Sequence, residues 1–398
     1  MLICQLLRRL RTSGTVRTNR TIYRNMAPNG RRILLKKEST AKLSSGFKMP
    51  YMGLGMWQTD KADEVEKAIE TAIEAGYRHF DTAFAYENEH LIGKTLQKIF
   101  ESGRVKREDL FIVTKLPPNG MAPESVKYFC QKSLKDLKLD YADLYLIHFP
   151  IATKRTEDDS NLYPVENGQL ALDTNFNLLD TWKAMEKLVD EKLVKSIGIS
   201  NFNSEQVQRI YNASRIKPAV LQVECHAYLP QIDLVNLCKK LGIVVTAYSP
   251  WELLDSPISS SHDNLLPVPC PSQKFVELSR GTVLKRVVEL KDESRFFPLD
   301  KDKRNYPLDI LLKDPEVMAL SERYSATPAQ ILLTYLLDRE IVVIPKSSNP
   351  ERIKENIKCF ETDLSKEDFL RLLSLSKNYR YFLFNQHENM PKHPEYPF

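Results

Sequence analysis

Three short apolar runs in this chain each end on an ionisable side chain. Phe80-Asp81 follows the turn Gly76-Tyr77-Arg78-His79, and Tyr86 lies just beyond. Phe111-Ile112-Val113-Thr114-Lys115 ends on a lysine, and Asp143-Leu144-Tyr145-Leu146-Ile147-His148 ends on a histidine. Runs of this length between helical periodicities read as buried strands of a strand–helix repeat. In a (β/α)8 barrel the carboxyl ends of the strands converge on one mouth, where active sites lie. A carboxylate, a phenol, an ammonium and an imidazole would meet there.

The alternation continues along the chain. Residues 48–57 read as an opening strand. Helical spacing follows over 60–75, with an apolar stripe of Val65, Ala68, Ile69, Ala72 and Ile73 and with Asp60 as N-cap. Further helices are expected over 87–100, 123–137, 178–190 and 232–240, with a short one after Asn203. Strands are expected over 196–200, 219–224, 243–248 and 340–345. Eight strands with intervening helices favour a closed α/β barrel, a (β/α)8 TIM barrel, over an open sheet. One such barrel accounts for most of 398 residues. The polar stretch 150–177 is a long loop on the carboxyl face, of the kind that shapes substrate pockets.

Two stretches fall outside this pattern. Residues 1–37 carry eight arginines among Ser and Thr before the first acidic residue, Glu38. That composition reads either as a mitochondrial transit peptide or as a disordered leader ahead of a second start at Met26. Localisation is accordingly cytoplasmic, or mitochondrial if the leader is a targeting signal. Residues 252–310 are rich in Ser, Pro and charge, with a helix-like piece at 275–290; they read as an enlarged loop after the seventh strand.

Charge and cysteine content narrow the function classes. A net charge of +5 is mild for this length and calls for no nucleic acid. No run of 18 apolar residues suggests a transmembrane helix. Six scattered cysteines without CxxC spacing suggest reduced thiols, and neither a disulfide framework nor a metal site. Gly53-Leu54-Gly55 lacks the third glycine of a dinucleotide fingerprint.

The four mouth residues suit carbonyl reduction. Hydride transfer builds negative charge on the substrate oxygen, which then needs a proton. Tyr86 is the candidate acid; a free phenol has a pKa of about 10 and is a weak donor. Lys115 can stabilise the phenolate, Asp81 can hold the lysine charged, and His148 can orient the carbonyl. Alternatively, Asp81 and Lys115 form a structural ion pair and His148 is a satisfied core histidine. Past the last strand, Lys346, Ser347, Asn349 and Arg352 stand near a helix N-terminus, which suits a phosphate or is an ordinary capped helix start.

The stretches GYRHFDTAFAYENE, FIVTKL, DLYLIHFP, KSIGISNFN, LQVECHAYL, VVTAYSP and VVIPKSSNPERIKEN occur in this order over about residues 41–380. In them the chain resembles the aldo-keto reductases, close to the aldose reductase and aldehyde reductase branch. That resemblance implies a TIM barrel, NADPH-dependent reduction of a small carbonyl substrate, and a monomer. It gives Tyr86, Asp81, Lys115 and His148 the roles above. It implies that Ser200, Asn201 and Gln222 hold the nicotinamide carboxamide, with the ring of Tyr248 stacked on the nicotinamide and Ser249 beside it. Lys346, Ser347, Ser348, Asn349 and Arg352 would clamp the 2′-phosphate, with Glu355 and Asn356 reaching the adenine. Trp57 and Phe149 would line the substrate pocket, and the tail 379–398 would lie over it.

The chain departs from the family pattern in several places. Phe149 and Pro117 replace pocket tryptophans, Met56 replaces a polar residue near the cofactor, and Trp251-Glu252 follow Tyr-Ser-Pro. The loop at 252–310 exceeds that of relatives by about 45 residues. Two other classes fit part of the pattern. A lyase acting through a Schiff base would use Lys115, and a non-catalytic NADP(H)-binding barrel would retain only the cofactor site.

Overall fold

The computed structural model describes residues 34–250, 311–384 and 387–398. The leader through residue 33 and the expected enlarged loop at 252–310, with its helix-like piece at 275–290, lie outside the described residues.

Strands and helices alternate: β1 (Leu54–Gly55), α1 (Ala62–Ala75), β2 (His79–Asp81), α2 (Glu89–Glu101), β3 (Phe111–Leu116), α3 (Pro123–Leu137), β4 (Leu144–Ile147), α4 (Leu178–Asp190), β5 (Ile197–Ser200), α5 (Ser204–Ala213), β6 (Val220–Glu224), α6 (Ile232–Leu241) and β7 (Val244–Tyr248). After residue 310 come α7 (Pro315–Tyr324), α8 (Pro328–Leu337), β8 (Val342–Val343), α9 (Pro350–Asn356) and α10 (Lys366–Leu373). The eight strands form one parallel sheet in chain order. Its edges meet: Met52 and Gly55 bridge in parallel to Val343 and Lys346, and Gly53 N–H donates to Val343 O at 2.9 Å. The fold is therefore a closed (β/α)8 barrel, as expected.

Alternation along the strands sorts side chains to two sides. Ile112, Tyr145, Ile147, Leu221 and Val223 face outward into the large core under the helices. Phe111, Val113, Leu144, Leu146, Val220 and Val342 fill the amino-terminal half of the interior. The polar positions Asp81, Lys115, Gln222 and Glu224 follow toward the carboxyl ends, all buried. The interior is thus apolar at one end and polar at the other.

Some boundaries differ from the sequence reading. The stretch 48–57 is two strands, not one: Lys48–Pro50 pairs antiparallel with Thr40–Lys42, and only Leu54–Gly55 joins the barrel. Ala41, Leu43 and Met49 of that hairpin pack on the apolar end of the interior, which would otherwise face water. Helix α1 begins at Ala62, with Lys61 rather than Asp60 at the N-cap and no side-chain cap. Asp63 and Glu64 in its first turn complement the helix dipole instead. Helix α2 begins at Glu89 rather than Glu87, because Glu87 takes φ 56° at the end of a 3-10 turn, Phe84–Tyr86. The loop 150–177 carries a small antiparallel ribbon, Val165–Glu166 with Gln169–Leu170.

Two glycines permit close approaches. A Cβ on Gly53 would stand 2.6 Å from His79 Nδ1. A Cβ on Gly93 in α2 would stand 2.2 Å from Asp136 O at the end of α3. The latter neighbour is backbone and cannot swing away. Gly93→Ala is therefore expected to destabilise the fold by about 1–3 kcal/mol through overpacking. Chemical denaturation measures this; an unchanged midpoint would mean that the two helices can separate freely.

Candidate active site

The barrel brings all four sequence-predicted groups to its mouth. Asp81 ends β2, Lys115 is the penultimate residue of β3, and His148 follows β4. Tyr86 stands on the 3-10 turn beyond β2. Lys115 Nζ lies 2.5 Å from Asp81 Oδ1, 2.8 Å from Thr82 O and 3.3 Å from Tyr86 Oη. The Tyr86 and His148 rings meet edge to face with centroids 5.7 Å apart. The lysine is fully buried and Asp81 is 2% exposed, whereas Tyr86 and His148 are half-buried and open toward the mouth.

This packing sets the charge states. Burial disfavours the Lys115 ammonium, but the Asp81 carboxylate and the Tyr86 phenol outweigh it, and its pKa is raised. Burial raises the Tyr86 phenol; Lys115 pulls it back only in part, so it stays above the ordinary tyrosine value. Burial, helped by the nearby Lys115 charge, lowers His148 to about 3. At neutral pH the site holds a protonated phenol, an ammonium with three acceptors and a neutral imidazole.

A ring of amides adjoins these groups. Gln222 Nε2 donates to Asp81 Oδ2 at 2.7 Å across the barrel. It lies within β6, two residues before its end. Asn201 follows β5 in the left-handed region, φ 64°, where asparagine is tolerated. Its Nδ2 donates to His148 O at 3.0 Å and lies 3.3 Å from Ser200 Oγ, and its Oδ1 accepts from Tyr248 Oη at 2.7 Å. Ser249 also takes a positive φ, 45°. Ser200, Asn201 and Gln222 are buried, so their amide and hydroxyl groups offer both donors and acceptors at the mouth without competing bulk water.

The segment after β8 lies beside the end of β1 through the Gly55–Lys346 bridge. Ser347 is buried, Lys346, Ser348 and Arg352 are half-buried, and Asn349 is exposed. Asn349 Oδ1 caps α9, accepting from Glu351 N and Arg352 N. That oxygen serves the helix, as an ordinary N-cap does, while the two cations stand on either side of the cap. Glu355 is exposed on α9, and Asn356 is buried at its end. Two cations flanking a serine-rich turn fit a phosphate monoester, and the amide ring fits a carboxamide.

Residues 51–377 match the sequence profile of the Aldo/keto reductase family. The chain belongs to the aldo/keto reductase family. Aldo-keto reductase family 1 member A1 of Gallus gallus is 40% identical over 365 residues, 89% of this chain and 96% of that one. The Homo sapiens member A1 is 37% identical over 368 residues, 90% and 98% of the two chains. The solved aldose reductase of Schistosoma japonicum is 40% identical, covers 90% of this chain and 98% of its own, and superposes with a TM-score of 0.72. Membership makes the chain an oxidoreductase of the carbonyl-reducing type.

The described tail residues of this aldo/keto reductase pack against the side chains at the mouth. Its Phe382 ring lies 5.7 Å from both Trp57 and Tyr248, and Phe384 lies 4.7 Å from Phe149. Phe382, Phe384 and the buried Glu224 carry no local signal in the sequence. A tail without periodicity carries no signal of where it returns, and Glu224 reads as one more strand residue. Cys225 and His226 lie beyond β6 in a buried turn. Among the described residues no three His, Cys, Asp or Glu side chains group to hold a metal ion, and no helix is long and apolar enough to cross a membrane.

Behind Lys115, Thr114 Oγ1 donates to the buried Glu89 Oε1 at 2.5 Å. Burial outweighs this bond and raises Glu89 to about 7 from 4.5. Between those values the folded protein holds a proton that the unfolded chain has lost, so Glu89 costs stability increasingly as pH rises from 4.5 to 7. Glu89→Gln keeps an acceptor for Thr114 and removes the charge. It is expected to raise the melting temperature relative to wild type at pH 8 and to leave it nearly unchanged at pH 4.5, with a difference of up to ~3 kcal/mol. An equal shift at both pH values would contradict the raised acid.

Proposed function

We propose that the chain is an NADPH-dependent reductase of aldehydes, ketones or aldoses, with Tyr86 as the proton donor. The observation that carries this reading is the Tyr86 hydroxyl 3.3 Å from the buried Lys115 ammonium, beside the His148 ring at an open mouth. Bound NADPH would supply a hydride to the carbonyl carbon. As charge grows on the carbonyl oxygen, the Tyr86 O–H gives up its proton there, and the C=O becomes CH–OH. Lys115 stabilises the phenolate left behind, and Asp81 keeps the ammonium aimed at it. The neutral His148 donates a hydrogen bond that orients the carbonyl.

The remaining residues bind. Ser200, Asn201 and Gln222 hold the carboxamide, with Tyr248 against the nicotinamide face and Ser249 beside it. Lys346, Ser347, Ser348 and Arg352 hold the 2′-phosphate, around a turn that Asn349 fixes by capping α9; Glu355 and Asn356 reach the adenine. Trp57 and Phe149 wall the substrate side. The ligand is a small molecule, neither a nucleic acid nor a membrane, and the chain works as a monomer. Lyase chemistry is disfavoured: a Schiff base needs a neutral amine, whereas Lys115 is an ammonium with three acceptors. A barrel that binds NADP(H) without turnover would have no use for an acid so arranged.

Tyr86→Phe is expected to lower kcat for a simple aromatic aldehyde by about 100-fold or more and to leave NADPH affinity, read by fluorescence titration, within about twofold. Unimpaired turnover would remove the assigned acid. In the wild type the raised phenol keeps its proton through neutral pH, and His148 at about 3 stays neutral above pH 5. The kcat profile for reduction should therefore show no limb from either group between pH 5 and 9, with the Tyr86 limb above that. Lys346→Met should weaken NADPH binding by about tenfold and spare NADH, which lacks the 2′-phosphate. Equal loss for both cofactors would detach Lys346 from the phosphate.

A further inference from the structure

We propose that Glu224 is a positioning residue that clamps the C-terminal tail to the barrel and thereby fixes the aromatic wall of the pocket. The proposal rests on the reductase reading above and adds a residue that acts on the substrate through the tail.

Glu224 ends β6 and is completely buried. Its Oε1 accepts from Tyr381 N at 2.7 Å and its Oε2 from Phe382 N at 3.0 Å. His226 Nδ1 accepts from Leu229 N at 3.1 Å, so the ring proton sits on Nε2 and donates to Glu224 Oε1 at 2.9 Å. Arg380 adds a cation 3.9 Å from Oε2. A buried carboxylate needs such donors, and buried N–H groups need such an acceptor. Barrel and tail therefore satisfy each other at this point.

The clamp sits directly upstream of the wall. Lys377 N and Tyr379 N both donate to Tyr228 O, laying the tail onto the turn after β6. Immediately past the clamp, the Phe382 ring stands between Trp57 and Tyr248. Phe384 and Phe398 then pack on Phe149. The far end is held by Gln206 Nε2 on Glu395 O at 2.8 Å and Asn203 Nδ2 on Pro397 O at 3.3 Å. Phe382, Phe384 and Phe398 present their rings along this wall. Apolar contact scales with the area covered, so a bulky apolar substrate gains from the wall and a short aliphatic one touches little of it.

The test compares full-length wild type, Glu224→Gln and Phe382→Ala. The Gln side chain keeps the shape but offers an amide N–H where a tail N–H points. Hydrogen exchange of the peptide spanning 378–384 should quicken in Glu224→Gln while the barrel strands stay protected. KM for a naphthyl or phenyl aldehyde should rise about tenfold, the size expected for losing charge-assisted hydrogen bonds. KM for propanal should change less than about twofold, with kcat for both retained. Phe382→Ala should reproduce the selective KM rise, and adding Glu224→Gln to it should have little further effect, since one acts through the other. Unchanged exchange in the tail would overturn the clamp. Equal KM rises for both aldehydes, or additive effects of the two substitutions, would overturn its link to selectivity. If Glu224→Gln does not fold, Phe382→Ala alone decides the wall by the same KM comparison. Absence of turnover in the wild type would defeat the reductase reading, while the exchange measurement would still decide the clamp.

Discussion

The Lys115–Asp81 ion pair is the interaction on which the rest of the mouth depends. Both charges are removed from water, at a cost of several kcal/mol per ion before compensation. The compensation comes from geometry: 2.5 Å between the charges, Thr82 O and Tyr86 Oη on the lysine, and Gln222 on the second carboxylate oxygen. Removing either partner would leave the other buried and unpaired. Each partner belongs to a different strand, and Gln222 reaches in from a third. The pair therefore requires the barrel to close in this register, and the closed barrel aims the ammonium at the phenol.

The interior divides accordingly. At the amino end, Phe111, Val113, Leu144, Leu146 and Val220 make an apolar plug that the N-terminal hairpin covers. At the carboxyl end the same strands carry charge and amides. Polar groups at the mouth are tolerated because they satisfy one another, and because the tail supplies what the strands lack. Glu224 shows the same logic as Asp81, a buried carboxylate completed from elsewhere in the chain. Asp81 is completed by the Lys115 ammonium and the Gln222 amide, Glu224 by two backbone N–H groups of the tail with the His226 ring and Arg380.

Much of this was legible in the sequence, and the failures share a cause. Asp81, Tyr86, Lys115 and His148 could be read because each follows an apolar run whose end has a known meaning in a barrel. The stripe of α1 was equally plain, since period 3.6 is a local signal. What went unread depended on partners far along the chain. Lys48–Pro50 reads as part of the first strand until the hairpin with Thr40–Lys42 is seen. Asp60 satisfies a capping rule, yet the helix starts later. The Tyr86 phenol reads as eased by Lys115 alone, but burial outweighs the lysine and leaves it raised. Of the two readings open for the start of α9, the structure shows the cap: Asn349 Oδ1 accepts from Glu351 N and Arg352 N.

The sequence by itself determined the class of fold and the types of group at the mouth, because strand–helix alternation and residue chemistry are written locally. Only the tertiary structure decided distances, charge states and the pocket wall. Those depend on which residues, hundreds of positions apart, exclude water from one another. Gln222 meets Asp81, and Glu224 meets Tyr381 and Phe382, only after the barrel closes and the tail folds back over it.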